Sequence, residues 1–212
     1  MSLSSVREDI AKGAAWMTFF KLTERTLGII STLILARLLL PEDFGLVAMA
    51  MSIVAATEIL TAFGFDVVLI QKQGATRAHY DTAWTLQVCF GLAGAICLTL
   101  LASPTAWFYH EEQLKSVIYV IAVSFFFRNL ENIAVVDFRK KMVFHKEFAY
   151  RFSIKIIGFC VTIPLAIYLR SFWALVFGQL TLSLATFVLS YAMNSFRPRL
   201  SFTHTREIFD FR

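Results

Sequence analysis

Residues 13–40 read GAAWMTFFKLTERTLGIISTLILARLLL, an apolar run with Lys21, Glu24 and Arg25 set inside it. A bilayer-spanning helix needs about 20 mainly apolar residues, so the run is long enough to cross. A charge near the centre of such a helix costs on the order of 3 kcal/mol even on lenient insertion scales. At 3.6 residues per turn, Thr18, Lys21, Arg25, Gly28 and Thr32 fall on one side with Glu24 at its edge. Phe, Leu and Ile occupy the other side. One flank suits lipid; the other requires a polar or water-filled neighbour from the rest of the chain.

The remaining sequence has the composition to provide a membrane domain. Of 212 residues, 58% are hydrophobic and 17% charged, against about 45–50% and 25% in soluble domains. The excess is concentrated in blocks: no Asp, Glu, Lys or Arg occurs at positions 82–110 or 171–196. Blocks of that length exceed what a soluble core helix uses, and the expected class is all-α integral membrane protein. The first dozen residues are polar and no small-residue cleavage pattern follows the first block, so no cleavable signal peptide is expected. Cys89, Cys97 and Cys160 lie in apolar blocks and serve as small hydrophobes. No metal-ligand spacing, disulfide framework or cofactor motif is present.

Six spans are expected, near residues 14–38, 44–65, 83–104, 114–136, 148–169 and 172–193, the second with room to run on through 67–70. A turn at Pro41, Glu42 and Asp43 separates the first two, and Arg170-Ser171 forms a tight turn between the last two. Trp and Tyr residues cluster near the proposed ends, as interfacial belts require. Twelve Lys and Arg fall on one side, in the amino terminus, the loops after spans two and four, and the tail. Only Arg37, Lys115 and Arg170 fall on the other. This positive-inside bias places both termini in the cytoplasm. It also accounts for the net charge of +5 without nucleic acid as a partner. The expected domains are a cytoplasmic amino terminus at 1–13, a bundle at 14–193, and at 194–212 a basic tail or linker to a second bundle.

Five cations remain inside the spans: Lys21, Arg25, Arg128, Arg151 and Lys155; Glu24, Glu58 and Glu131 are the acidic residues at similar depth. With a rise of 1.5 Å per residue, Lys21, Glu58, Arg128 and Lys155 all lie roughly 10–12 Å from the cytoplasmic ends of their spans. Ser124, Arg128, Glu131 and Asn132 share a face of span four; Arg151, Lys155, Gly158 and Thr162 share one of span five. Spans one, two, four and five are therefore expected to line a net basic cavity suited to an anion such as phosphate or pyrophosphate. The candidate binding residues are Lys21, Arg25, Arg128 and Lys155, with Glu58. A structural account competes: Lys21–Glu24 and Arg128–Glu131 stand at i,i+3 and can neutralise each other, and Arg151 is close enough to the interface to snorkel. Gly91 and Ala95 form a small-xxx-small pair suited to helix packing. Pro164 permits a kink. There is no P-loop, no paired carboxylates in a soluble cleft and no nucleophile–base arrangement, so no enzymatic activity is expected.

The segment ILARLLLPEDFGLVAMAM at 34–51 resembles the start of the bacterial Wzx-type, colanic-acid-exporter-like polysaccharide flippases. These form a branch of the multidrug/oligosaccharidyl-lipid/polysaccharide exporter superfamily. The likeness continues in order through FGFDVVLIQKQ, FYHEEQL, DFRKKMVFHKEF, FWALVFGQL and RPRLSF. It implies a fold of two six-helix bundles around a central cavity, of which this chain resembles the first half. It also implies export of undecaprenyl-pyrophosphate-linked oligosaccharide units across the inner membrane, with lipid-linked oligosaccharide, membrane lipids and a second bundle or further copy as partners. A cation-coupled multidrug exporter of the same superfamily and a non-transporting membrane assembly partner are the alternative functions.

Overall fold

The computed structural model describes residues 3–61, 64–71, 74–141, 143–203 and 205, with side chains from Lys21 onward. The described residues form helices without any strand: α1 Leu3–Leu38, α2 Pro41–Thr61, α3 Phe65–Gln71, α4 Arg77–Tyr109, α5 Gln113–Asn129, a 3-10 turn Ile133–Val135, α6 Val136–Lys140, α7 Phe144–Leu169 and α8 Trp173–Ala192. In lipid every backbone polar group must find its partner within the segment, which is why the apolar blocks become helices. Four of these, α2, α4, α7 and α8, are long and apolar enough to cross a membrane, and α5 with α6 makes a bent fifth. The described side chains of α1 include Lys21, Glu24, Arg25 and Arg37, too many charges for a purely lipid-facing span.

Local chemistry sets the boundaries. Pro41 opens α2, where the missing N–H is no loss, so the expected Pro41–Asp43 turn is instead the first turn of a helix. The Asp43 carboxylate accepts from the Leu40 N–H at 2.9 Å and, with its other oxygen, from the Phe172 N–H at 2.8 Å. One side chain thus ties the α1–α2 corner to the α7–α8 corner. Leu35, Leu39, Ala166 and Ala174 pack beneath it with Phe44. At the other end of α2, Gly64 takes φ +63°, a left-handed conformation open to glycine. The chain there redirects into the separate helix α3, so span two does not run on. Arg170, at φ 44°, makes the tight turn expected after α7.

The largest departure from expectation is in span four. Instead of one helix over 114–136, the chain breaks after Asn129, and the two parts meet at 60°.

Laterally, α4 packs on α5, α5 on α8 and α8 on α7, while α1 leans on α7 and α2 on α4 and α5. The main core joins Leu46, Ala50 and Val54 of α2 to Leu98 and Ala102 of α4, the buried face of α5 and Val176 of α8. Close backbone approach fixes the pairs. A Cβ at Gly91 would stand 2.3 Å from that of Asn129, one at Gly158 2.3 Å from Leu182 Cδ2, and one at Gly178 2.4 Å from Thr162 Oγ1. Gly91 is therefore a packing residue, and Gly158 and Thr162 face α8 rather than a cavity.

After α8 the chain is extended and turns back across the bundle. Arg199 N–H donates to Asp81 Oδ1 at 2.9 Å, Ser201 N–H to Thr85 Oγ1 at 3.0 Å, and Arg77 to the Arg197 carbonyl at 3.2 Å. The tail is a strap held against the start of α4.

Candidate functional site

The polar side of α1 meets α7 around a cavity of about 600 Å³ lined by Lys21, Glu24, Arg25, Gly28, Thr32 and Lys155, with Ile29 and Leu33 at its apolar border. Helical periodicity brings Lys21, Arg25, Gly28 and Thr32 to one face, as the sequence suggests; Thr18 lies outside the described side chains. Glu24 does not pair with Lys21 in its own helix. Its Oε1 instead reaches across to Lys155 Nζ at 3.7 Å. Lys21 and Arg25 have no carboxylate within ion-pair distance among the described residues. Three cations against one carboxylate leave this cavity basic, and the long Lys155–Glu24 contact, half-exposed on the lysine side, does little to quench it.

Glu58 and Arg128 form a second group. Their side chains are joined in an ion pair between α2 and α5, and the Arg128 guanidinium lies over the Phe125 ring at 5.4 Å. The partner is Glu58 on another helix, not Glu131 three residues along. The five candidate binding residues thus divide: Lys21, Arg25 and Lys155 line the α1–α7 cavity, while Glu58 and Arg128 hold each other. Arg151, the fifth cation, donates to Glu147 at 3.1 Å one turn back.

Beyond Arg128 the broken span opens a further cavity of about 350 Å³, bounded by the α2–α3 elbow, α4, the end of α5 and α6. Its lining includes Thr61, Asp66, Gln87, Phe90, Arg128, Asn129, Glu131 and Arg139. A helix break exposes carbonyls that must be satisfied, and side chains from other elements do this. Gln87 Nε2 donates to the carbonyls of Asn129 at 3.0 Å and Glu131 at 3.2 Å. Asn132 is fully buried. Its N–H donates to Ser190 Oγ at 2.9 Å, its amide to the Phe196 carbonyl at 2.7 Å, and its Oδ1 accepts from Ala134 N–H at 3.1 Å. Tyr150 donates to Glu131 Oε1 at 2.8 Å. Glu131 and Asn132 therefore leave the stripe headed by Ser124 and Arg128 and serve the break. Arg139 lies 3.1 Å from Glu147 and 3.8 Å from Asp66, so its charge is already balanced.

Gln87, Asn129, Tyr150 and Asp66 are site residues that the ionisable-residue pattern passes over. The available signal was the pair of asparagines, Asn129 and Asn132, flanking Leu130-Glu131 in an otherwise apolar run. Asparagine favours local backbone bonding over helix interiors.

Comparison with known proteins adds the family context. Residues 34–212 match the family described as polysaccharide biosynthesis protein. Among curated proteins, the chain is 23% identical over 96% of its length to an uncharacterized membrane protein in the cps region of Klebsiella pneumoniae. It is 25% identical over 90% to the lipopolysaccharide biosynthesis protein WzxC of Escherichia coli, and 21% identical over 94% to the succinoglycan biosynthesis transport protein ExoT of Rhizobium meliloti. It spans 42%, 36% and 40% of those proteins' own lengths. No solved structure matches the chain.

Proposed function

Since the chain belongs to the polysaccharide biosynthesis protein family, we propose that it forms the amino-terminal bundle of an exporter that carries undecaprenyl-pyrophosphate-linked oligosaccharide across the bacterial inner membrane. In this reading α1, α2, α4, α5–α6, α7 and α8 are six spans with both termini cytoplasmic, and the α1–α7 cavity receives the pyrophosphate from that side. The observation that carries the reading is the surplus of cations there. Among the described residues Lys21 and Arg25 have no ion-pair partner, and Lys155 shares one distant carboxylate. Arginine can grip a pyrophosphate through two parallel bonds and lysine acts as a point charge. Arg128 stands apart from these cations, paired with Glu58 at the cavity beside the broken span. A cation-extruding cavity would need the opposite charge balance, so the drug-exporter alternative finds no support here. A second bundle, or a second copy, would cover the polar flank of α1, with membrane lipids on the other faces.

The test is export in living cells. Lys155→Ala and Arg25→Ala are expected to cut surface-polymer output at unchanged membrane abundance, with Lys155→Arg retaining most of it. Losing a charge-assisted bond to the ligand weakens binding by about 1.5–3 kcal/mol, or about 10- to 150-fold. Normal export by the double alanine variant would reject the anion role for this cavity.

A further inference from the structure

The cavity at the break in span four differs in chemistry from the α1–α7 cavity, and we infer that it is a saccharide subsite. It binds the sugar portion of the ligand whose anionic group the α1–α7 cavity holds. The inference rests on that reading of the basic cavity but uses separate residues.

Among the described residues Arg139 is balanced by Asp66 and by Glu147, which it shares with Arg151, and Arg128 by Glu58, so these arginines have no surplus charge to attract a phosphate. What remains is hydrogen-bonding capacity. Gln87 and Asn129 spend their amide N–H groups on backbone carbonyls, of Asn129 and Glu131 in one case and Phe125 in the other. Their amide oxygens have no partner among the described residues, and both residues line the cavity. Thr61 donates its hydroxyl hydrogen to the Thr57 carbonyl, which leaves its oxygen able to accept. Asp66, half-exposed, has among the described residues the 3.8 Å contact to Arg139 as its one ion pair.

The wall is thus rich in acceptors, with the guanidiniums of Arg128 and Arg139 as donors and the Phe90 ring alongside. An anion would meet the acceptors and carboxylates of Asp66 and Glu131, beside guanidiniums that already hold carboxylate partners. An apolar tail would leave those groups unpaired at a cost. A neutral polyol satisfies them, because its hydroxyls donate to the amide and carboxylate oxygens, accept from Arg139, and its C–H face rests on the ring. At about 350 Å³ the cavity is in the lower range of small-ligand sites, large enough for a sugar unit rather than a whole polymer. The site is also rigid: Gln87 cannot turn away without stranding the carbonyls at the break. Pre-set groups of this kind lower the ordering cost of binding.

The experiment compares two ligands on the protein in lipid nanodiscs, together with whatever second bundle its reading frame encodes. One is undecaprenyl pyrophosphate; the other is the lipid-linked oligosaccharide extracted from the producing cells. Asp66→Asn and Thr61→Val are expected to weaken binding of the sugar-bearing lipid about tenfold or more and leave the bare pyrophosphate lipid at its wild-type affinity. Lys21→Ala is expected to weaken both. If the pocket variants weaken both ligands equally, or neither, the saccharide subsite is overturned. If wild type ignores the bare lipid while Asp66→Asn still weakens the sugar-bearing one, the anion cavity falls and the subsite stands. Thermal melting of each variant separates loss of binding from loss of fold.

Discussion

Replacing Arg128 with alanine leaves the Glu58 carboxylate without its partner on α5. Breaking one side of a fully buried pair costs about 3–5 kcal/mol, whereas fully exposed pairs contribute about 0–1 kcal/mol. Arg128 and Glu58 keep 42% and 40% of their side-chain surface exposed, which places them between these limits. We expect Arg128→Ala to destabilise by about 1.5–3 kcal/mol, the range for hydrogen bonds to charged groups, with part of it from the lost stacking on Phe125. Glu58→Gln removes the counter-charge but keeps the shape and should cost less. The double variant should then recover much of the loss, because no lone charge remains. Its coupling energy should be about 1 kcal/mol or more, within the span measured for contacting residues. Thermal unfolding in detergent and membrane abundance in cells read this cycle. Strict additivity of the two changes would refute the ion pair as a stabilising contact. Export measured on the same variants separates structure from function. If Arg128 also grips the anion, the double variant regains abundance and still exports poorly; full recovery of export would remove Arg128 from the binding set.

Two further outcomes follow from the packing and the charge distribution. In intact cells an impermeant thiol reagent should label a cysteine placed at Glu111 and spare one placed at Lys141 until the membrane is opened; the reverse pattern would invert the orientation and move the basic cavity to the outer side. Gly91→Ala should lower thermal stability by about 1–3 kcal/mol, an ordinary overpacking cost, because the new methyl would meet Asn129 at its Cβ, which cannot move without its backbone. Unchanged melting would show that α4 and α5 are less tightly apposed at this level.

How far the sequence could be read depended on whether a feature was periodic or tertiary. The polar face of α1 was legible because Lys21, Arg25, Gly28 and Thr32 recur at helical spacing, and the same four line the cavity. The choice of partners was not. An i,i+3 rule sees only neighbours on one helix, yet Glu24 pairs with Lys155 and Glu58 with Arg128, pairings set by how the helices are rotated against each other. The stripe on α7 misled for a related reason. Gly158 and Thr162 share a face with Lys155 by spacing, but small residues there serve the contact with α8.

The break in span four left a fainter trace. No Gly or Pro marks Leu130-Glu131-Asn132, and residues 114–136 are apolar enough for a continuous helix. Its two parts are held at 60° by groups 42 to 64 positions away in sequence, Gln87 of α4, Ser190 of α8 and Phe196 just after it. The tail takes part for the same reason. Residues 194–202 have the composition of a linker, and what docks them is chiefly backbone: N–H groups of Arg199 and Ser201 on Asp81 and Thr85, and the carbonyl of Phe196 on Asn132. Backbone donors carry no residue signature, so their partners offered the only clue. Asp81 and Thr85, one helical turn apart and both buried at the polar end of α4, present acceptors at the spacing that alternate N–H groups of an extended chain can meet. Because Asn132 binds both that strap and the backbone at the break, a shift in the tail has to move the wall of the cavity between α2 and α6.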